Sequence, residues 1–289
     1  MIKLKNRFGK ANRKEMSWMS DLMETLRQEG ISPDLLRAVE EYRAAHALPE
    51  ALRPRIPASG FTYYGREVWE QALAALLCGE NLLLAGGKAT GKNVLAENLA
   101  AAFGRPAWDI SFHVNMDAAS LIGMDTFVDG AVTFRPGPVY RCAQCGGFGV
   151  LEETRFIATM NYGYAGTREL NEALTSRFAV IQMPTITEEN LEKLLRAQFA
   201  DLTDKYVHQF ALLFLDLQKK CDSAEISTKA LDLRGMLDAL RLMRRGVAAG
   251  PALDMGITNK AFDSYEQGLI RDVIAARIPA SLTAEKLFR

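Results

Sequence analysis

Gly86-Gly87-Lys88-Ala89-Thr90-Gly91-Lys92-Asn93 is the stretch that most limits what this chain can fold into. It fits G-x-x-x-x-G-K, and its surroundings matter more than the pattern alone. The apolar run Asn81–Ala85 precedes it and an apolar helical stretch, Lys92–Phe103, follows, so the loop joins a strand to a helix. Gly86, Gly87 and Gly91 let backbone N–H groups turn inward around phosphate oxygens, and the helix N-terminus adds positive potential. Lys88, Ala89 and Thr90 complete that cradle, and Lys92 is expected to reach the β- and γ-phosphates. A plain glycine turn is the structural alternative; the strand–loop–helix context favours the cradle.

Asn93 stands where a Ser or Thr hydroxyl commonly ligates Mg²⁺. An amide oxygen also suits that ion, directly or through water, so Asn93 is the candidate metal ligand, with weaker affinity expected.

The rest of the chain falls into four parts. Residues 1–60 read as a helical N-terminal segment: a pattern over 16–47 with Ser32-Pro33 opening its second helix, then a linker holding Pro49, Pro54, Pro57 and Gly60. Residues 61–185 alternate strand-like and helix-like stretches, the pattern of an α/β layered domain. Strands are expected at 81–85, 108–113, 148–151, 156–160 and 179–183, with helices at 65–78, 92–103 and near 117–123, and a hairpin turn at Asp129-Gly130. Residues 186–245 read as a helical lid, with helices over 187–200, 202–221 and 227–245. A C-terminal helical extension, 246–289, carries an interruption at Asp254–Thr258 and a helix over 259–277.

Charge enters the argument as an exclusion. Lys and Arg number 35, as do Asp and Glu, so no net field favours nucleic acid or an acidic membrane surface. The basic stretch Lys3, Lys5, Arg7, Lys10, Arg13 and Lys14 reads as a solvated tail, with a docking arm for an acidic partner as the alternative. No apolar h-region follows it and no run approaches the ~18 residues that span a bilayer, so a cytoplasmic protein is expected. Cys142 and Cys145 form C-x-x-C, but a structural zinc needs four ligands and no second close Cys/His pair exists, so reduced thiols are expected. Cys78 and Cys221 lie in apolar helical patterns and read as core residues.

Two polar residues further along acquire meaning from the loop. Asn161, just past the apolar run 156–160, is placed to orient a water toward a γ-phosphate, or else simply forms a turn. Arg177, in Thr175-Ser176-Arg177-Phe178, precedes the last expected strand.

Taken together, the loop 86–93, the strand Ile157-Ala158-Thr159-Met160-Asn161 and the stretch Asn171–Phe178 resemble the AAA+ superfamily and, within it, the MoxR-like ATPases. Phe134-Arg135-Pro136-Gly137-Pro138 is similar to the segment after the helix-2 hairpin insertion of that clade, and Gly65-Arg66-Glu67 to a short box that packs against adenine. The likeness covers about residues 61–245. It implies a three-layer P-loop core with a five-stranded parallel sheet, ATP and Mg²⁺ as ligands, and a hexameric ring with nucleotide between subunits. It further implies that Arg177 acts in trans as an arginine finger, a device worth ~10³–10⁵ in rate. Sensor-2 function falls to Ser227-Thr228-Lys229-Ala230, where Lys229 replaces the usual Arg and Arg234 follows one turn on. Proteins of this kind remodel other proteins, often with a partner bearing a von Willebrand factor A domain.

The Walker B strand departs from the pattern. Gly147–Leu151 leads into Glu152-Glu153, where Asp-Glu is usual, and the next strand begins two or three residues later. Parallel neighbours need a crossover of a dozen or more residues. Either a segment is missing between about Leu151 and Glu153, or Glu152 and Glu153 themselves serve as the acids; chain geometry favours the first. The expected activity is ATP hydrolysis coupled to remodelling or maturation of a partner. The alternative is a nucleotide-binding assembly protein with little turnover. A nucleic-acid motor is disfavoured by the neutral charge and the lack of aromatic–basic interleaving.

Overall fold

The computed structural model describes residues 21–112, 116–143, 154–161 and 172–289. Contacts divide it into two compact units. The first comprises Met1–Ala85, Asn93–Met160 and Arg168–Ile181, and the second Gly86–Lys92, Asn161–Thr167 and Gln182–Arg289.

The first unit begins with α1 over 21–28 and α2, Pro33–Ala45. Pro33 at the first turn suits a position whose N–H has no helical partner. Ser32 is the N-cap residue but caps through no side-chain bond; its N–H instead donates to Glu70 Oε1 at 3.0 Å, on α3, Arg66–Leu77. Leu22, Leu26, Leu36, Val39, Trp69 and Leu73 are buried on these helices at the spacing the sequence showed. The expected linker 48–60 contains a 3₁₀ helix, Glu50–Arg55, with Pro54 inside it. That short helix tolerates the prolines because it needs few ladder bonds.

The sheet has three described strands in the order β4-β1-β5: β1, Leu82–Gly86, lies between β4, Ile157–Asn161, and β5, Ala179–Gln182. It is parallel. Every residue of β1 is buried, as a central strand covered on both faces requires. The expectation of five strands is corrected for 108–112, which form none. There Ala107 N–H donates to Arg55 O at 3.0 Å and the Arg55 guanidinium stacks on Trp108 at 4.9 Å, so this stretch is tied to the 3₁₀ helix. Phe112 stays exposed. The strand expected at 148–151 lies outside the described residues.

Between them run α4, Lys92–Ala102; α5, Ala118–Ile122; and an antiparallel ribbon of β2, Gly123–Val128, and β3, Ala131–Pro136, with α6, Pro138–Ala143, after it. Asp129 and Gly130, both at positive φ (50° and 81°), make the two-residue turn that hairpins favour. A short helix, α7, Glu172–Thr175, leads into β5.

The second unit is helical after residue 182: α8 Glu188–Gln198, α9 Asp204–Asp222, α10 Leu233–Arg244, α11 Ala249–Gly256, a 3₁₀ turn Thr258–Lys260, α12 Ser264–Arg277 and α13 Ala284–Leu287. Side chains of Thr187, Asp232 and Asp263 accept backbone N–H bonds at the starts of α8, α10 and α12. The helix expected from 227 begins only at Leu233, and α11 occupies residues the sequence left without a helix. A Cβ on Gly235 or Gly256 would lie 2.0–2.3 Å from the other's carbonyl oxygen, so only bare backbones let α10 and α11 pack this closely.

Candidate nucleotide-binding site

The loop Gly86–Gly91 leaves β1 at its C-terminal end and enters α4 at Lys92. Gly86 is required by space, since a Cβ there would meet Met183 Cβ at 2.9 Å. Gly91 sits at φ 81°, and Ala89, with a side chain, sits at φ 61°. The left-handed region is unfavourable for an L-residue by roughly 1–2 kcal/mol. The loop therefore holds local strain, which functional segments keep when their surroundings impose it.

Lys92 is only 7% exposed. Its ammonium donates to Gly86 O at 3.1 Å, to Gly87 O, and to Thr90 Oγ1 at 3.0 Å. All three acceptors are neutral, and burial draws its pKa below the ordinary lysine value. A buried cation surrounded by uncharged oxygens is a strong attractor for an anion, because a charge-assisted bond is roughly twice as strong as a neutral one. Thr90 Oγ1 also bonds Gly87 O at 3.1 Å, closing the loop on itself. Asn93, on the first turn of α4, is exposed, with an amide oxygen of the kind Mg²⁺ accepts.

The three described strands end side by side. Gly86 ends β1, Asn161 ends β4 next to it, and Gln182 ends β5 on the other side. Parallel α/β sheets bind ligands outside the carboxyl ends of their strands. Asn161 is exposed at the end of β4.

Lys88 reaches the turn before α10. Its ammonium donates to Thr228 O at 2.8 Å and Lys229 O at 3.4 Å. Lys229, exposed, directs its own ammonium over the Phe262 ring at 5.0 Å, and Arg234 is exposed on the first turn of α10. Asp232 accepts Gly235 N–H at 3.1 Å and pairs with Lys260. Burial pushes the Asp232 carboxyl up, but Lys260, the Gly235 N–H and Lys88 together bring it below the ordinary carboxylate value.

Gly65 and Arg177 belong to the first unit. Gly65, at φ 152°, precedes α3, and a Cβ there would meet the Tyr63 ring at 2.9 Å. Its segment is fixed by a residue the sequence reading missed. Asn98, fully buried on α4, accepts Tyr63 N–H at 2.8 Å and donates to Phe61 O at 2.9 Å. The signal was an amide three residues after Leu95, on the buried face of α4. Trp69 Nε1 adds a bond to Tyr63 O at 2.9 Å, and burial pushes the Tyr63 hydroxyl up to about 12. Arg177 is exposed just before β5. Glu152, Glu153 and Cys145 lie outside the described residues. Of the two cysteines taken as core, Cys78 is exposed at the end of α3 and Cys221 is partly exposed, its thiol pushed up to about 11 first by burial.

Among the described residues, one cluster has metal-ligand character: His208 Nδ1 on α9 lies 3.1 Å from Glu188 and 3.0 Å from Glu192 on α8. Arg196 also bonds Glu192 at 2.9 Å, so the group reads as an ion-pair clasp between two helices.

With strand, loop and lysine in place, comparison with known proteins points the same way. Residues 81–155 match the AAA domain of the dynein-related subfamily. This supports an AAA+ ATPase and a P-loop α/β fold. The chain is also similar to the uncharacterised protein YojN of Bacillus subtilis, at 28% identity, covering 91% of this chain and 98% of that protein. An uncharacterised protein of Staphylococcus haemolyticus is 28% identical over 72% of this chain and 94% of its own length.

Both alignments contain positions without a counterpart in this chain. The match to YojN runs over 303 positions, yet 91% of 289 residues is about 263, so about 40 positions lack a counterpart here. The staphylococcal match runs over 248 positions, and 72% of 289 is about 208, again leaving about 40. The AAA match itself stops at Arg155, two residues after Glu153.

Proposed function

We propose that this protein is a MoxR-like AAA+ ATPase that couples ATP binding and hydrolysis to remodelling or maturation of a protein partner. The observation that carries the reading is the Lys92 ammonium, buried behind a glycine loop with only neutral oxygens around it. In this reading Lys92 exchanges the Gly86 and Gly87 carbonyls for phosphate oxygens, and the loop N–H groups of 86–92 hold the remaining charge. Mg²⁺, when bound, would neutralise phosphate charge, and Asn93 is the residue to hold it. Asn161 orients the attacking water, and Glu152 or Glu153 takes its proton. Arg177 reaches the γ-phosphate of a neighbouring subunit in a hexameric ring, and the segment around Gly65 meets adenine. Arg234, exposed on the first turn of α10, supplies the sensor-2 charge in the lid, since the Lys229 ammonium faces the Phe262 ring. A cytoplasmic site of action and a von Willebrand factor A partner belong to the same reading. Among the described residues no helix is long and apolar enough to cross a membrane.

A second reading has a specific observation in its favour. About 40 positions of the relatives have no counterpart in this chain, roughly what a Walker B end, a crossover helix and a loop would occupy. A chain lacking them would bind nucleotide and turn it over slowly, as an assembly protein. The deciding measurement is steady-state ATPase with Mg²⁺ across protein concentration, beside Lys92→Ala and a fluorescent-nucleotide titration. Specific activity that rises with concentration and vanishes in Lys92→Ala supports the ring ATPase. Tight binding with negligible turnover supports the assembly protein, and no binding by the wild type overturns both.

A further inference from the structure

The turn Ser227–Asp232 joins α9 to α10 without forming helix, although its sequence continues a helical pattern. Besides bonds within the turn, such as Ala230 N–H to Ser227 O at 3.2 Å, several of its backbone groups bond side chains from elsewhere. Ser227 N–H donates to Glu266 Oε1 at 2.6 Å, and Ser227 O accepts the Cys221 thiol at 3.4 Å. Thr228 O and Lys229 O accept the Lys88 ammonium. Two of these anchors come from helices α9 and α12 of the same bundle. The third comes from the phosphate loop, 140 residues away in the chain.

The cation expected to connect this turn with the nucleotide was Lys229. In the structure its ammonium faces the Phe262 ring, and its carbonyl faces the loop. The charge that joins loop and turn therefore points the other way: it is carried by the loop. We propose that Lys88 is the positioning residue that couples the phosphate loop to the lid, reporting a nucleoside di- or triphosphate in the loop to the start of α10. The inference rests on the nucleotide-binding reading above.

The coupling has a physical basis in what an ammonium prefers. Lys88 holds two neutral carbonyls, and a polyphosphate cradled by its own loop offers charged oxygens, which bind an ammonium more strongly. A ligand shifts a conformational balance only through contacts that differ between the states, and Lys88 is a residue whose contacts would differ. Asp232 and Lys260, paired beside it at the start of α10, stand where a change at Lys88 is felt electrostatically.

The test is amide hydrogen exchange on the full chain, with and without saturating ADP and a slowly hydrolysed ATP analogue, for wild type, Lys88→Met, Lys88→Arg and Lys229→Met. Nucleotide is expected to change exchange of the amides from Ser227 to Leu233 by about tenfold in wild type and in Lys229→Met. In Lys88→Met, with nucleotide raised until the variant is saturated, the change should vanish, and Lys88→Arg should restore part of it. Mere loosening of the fold would raise exchange throughout the bundle in Lys88→Met rather than abolish a nucleotide response. Binding by Lys88→Met with an unchanged response at 227–233 overturns the coupling alone. A response lost in Lys229→Met and kept in Lys88→Met also overturns it. Wild-type protein that binds no nucleotide overturns the site reading and the coupling together.

Discussion

In the helical bundle of the second unit, Thr187, Asp232 and Asp263 cap their helices and Leu191, Phe210, Phe214, Leu240 and Ile270 are almost fully buried. In the same unit, the seven residues Gly86–Lys92 hold a buried ammonium with no anion beside it among the described residues, and an alanine in the left-handed region. One stretch is held by helix caps and apolar burial; the other has interactions that an outside anion would improve. Departure from local consistency is a mark of sites shaped for something other than stability.

Mutations should separate the two. The largest effect is expected at Lys92. Lys92→Met should weaken nucleotide binding by at least about 100-fold, in line with losing charge-assisted bonds. It should also raise or preserve the melting temperature, because a desolvated charge has been removed. A titration paired with thermal unfolding reads both; a clear loss of stability would break the comparison. Next comes Gly235→Val, which drives a side chain into the Gly256 carbonyl and should destabilise by about 3 kcal/mol through overpacking, read by urea unfolding.

The pH dependence sharpens the contrast further. The Asp232 carboxyl lies below its ordinary value when folded, so its contribution is present above the unfolded carboxylate pKa. It is lost as pH falls through the lower folded value. Acid unfolding curves of wild type and Asp232→Asn should therefore differ above the ordinary carboxylate range and converge at the acidic end. The smallest expected effect is at Ala89→Gly. Relieving a positive φ should raise stability by no more than about 1 kcal/mol, set against the entropy a glycine adds to the unfolded chain, with the shift read by calorimetry.

The strand–loop–helix around Gly86–Lys92 was legible because it is local: strand, glycines, lysine and helix are consecutive. The ribbon turn at Asp129-Gly130 was legible for the same reason. What the sequence hid depends on residues far apart. Residues 108–112 have strand-like chemistry, but Arg55 claims Trp108. Helix α10 starts six residues late because Lys88, Cys221 and Glu266 bind the backbone before it. α10 and α11 pack closely because two glycines 21 positions apart meet. Asn98 shares α4 with Asn93 and Glu97, and only the backbone of 61–63 against it reveals its role.

The ribbon formed by β2 and β3 has a practical consequence. Phe127, Val132 and Phe134 lie exposed on one side of it, paired Phe127 with Val132, and neither strand has a further neighbour among the described residues. Such a ribbon is a greasy paddle with two open hydrogen-bonding margins. A purified sample should therefore light up an apolar dye such as ANS while fully folded, and should crowd into larger species as it is concentrated. Polar replacements at Phe127 and Val132 would be the first handle for keeping it in solution.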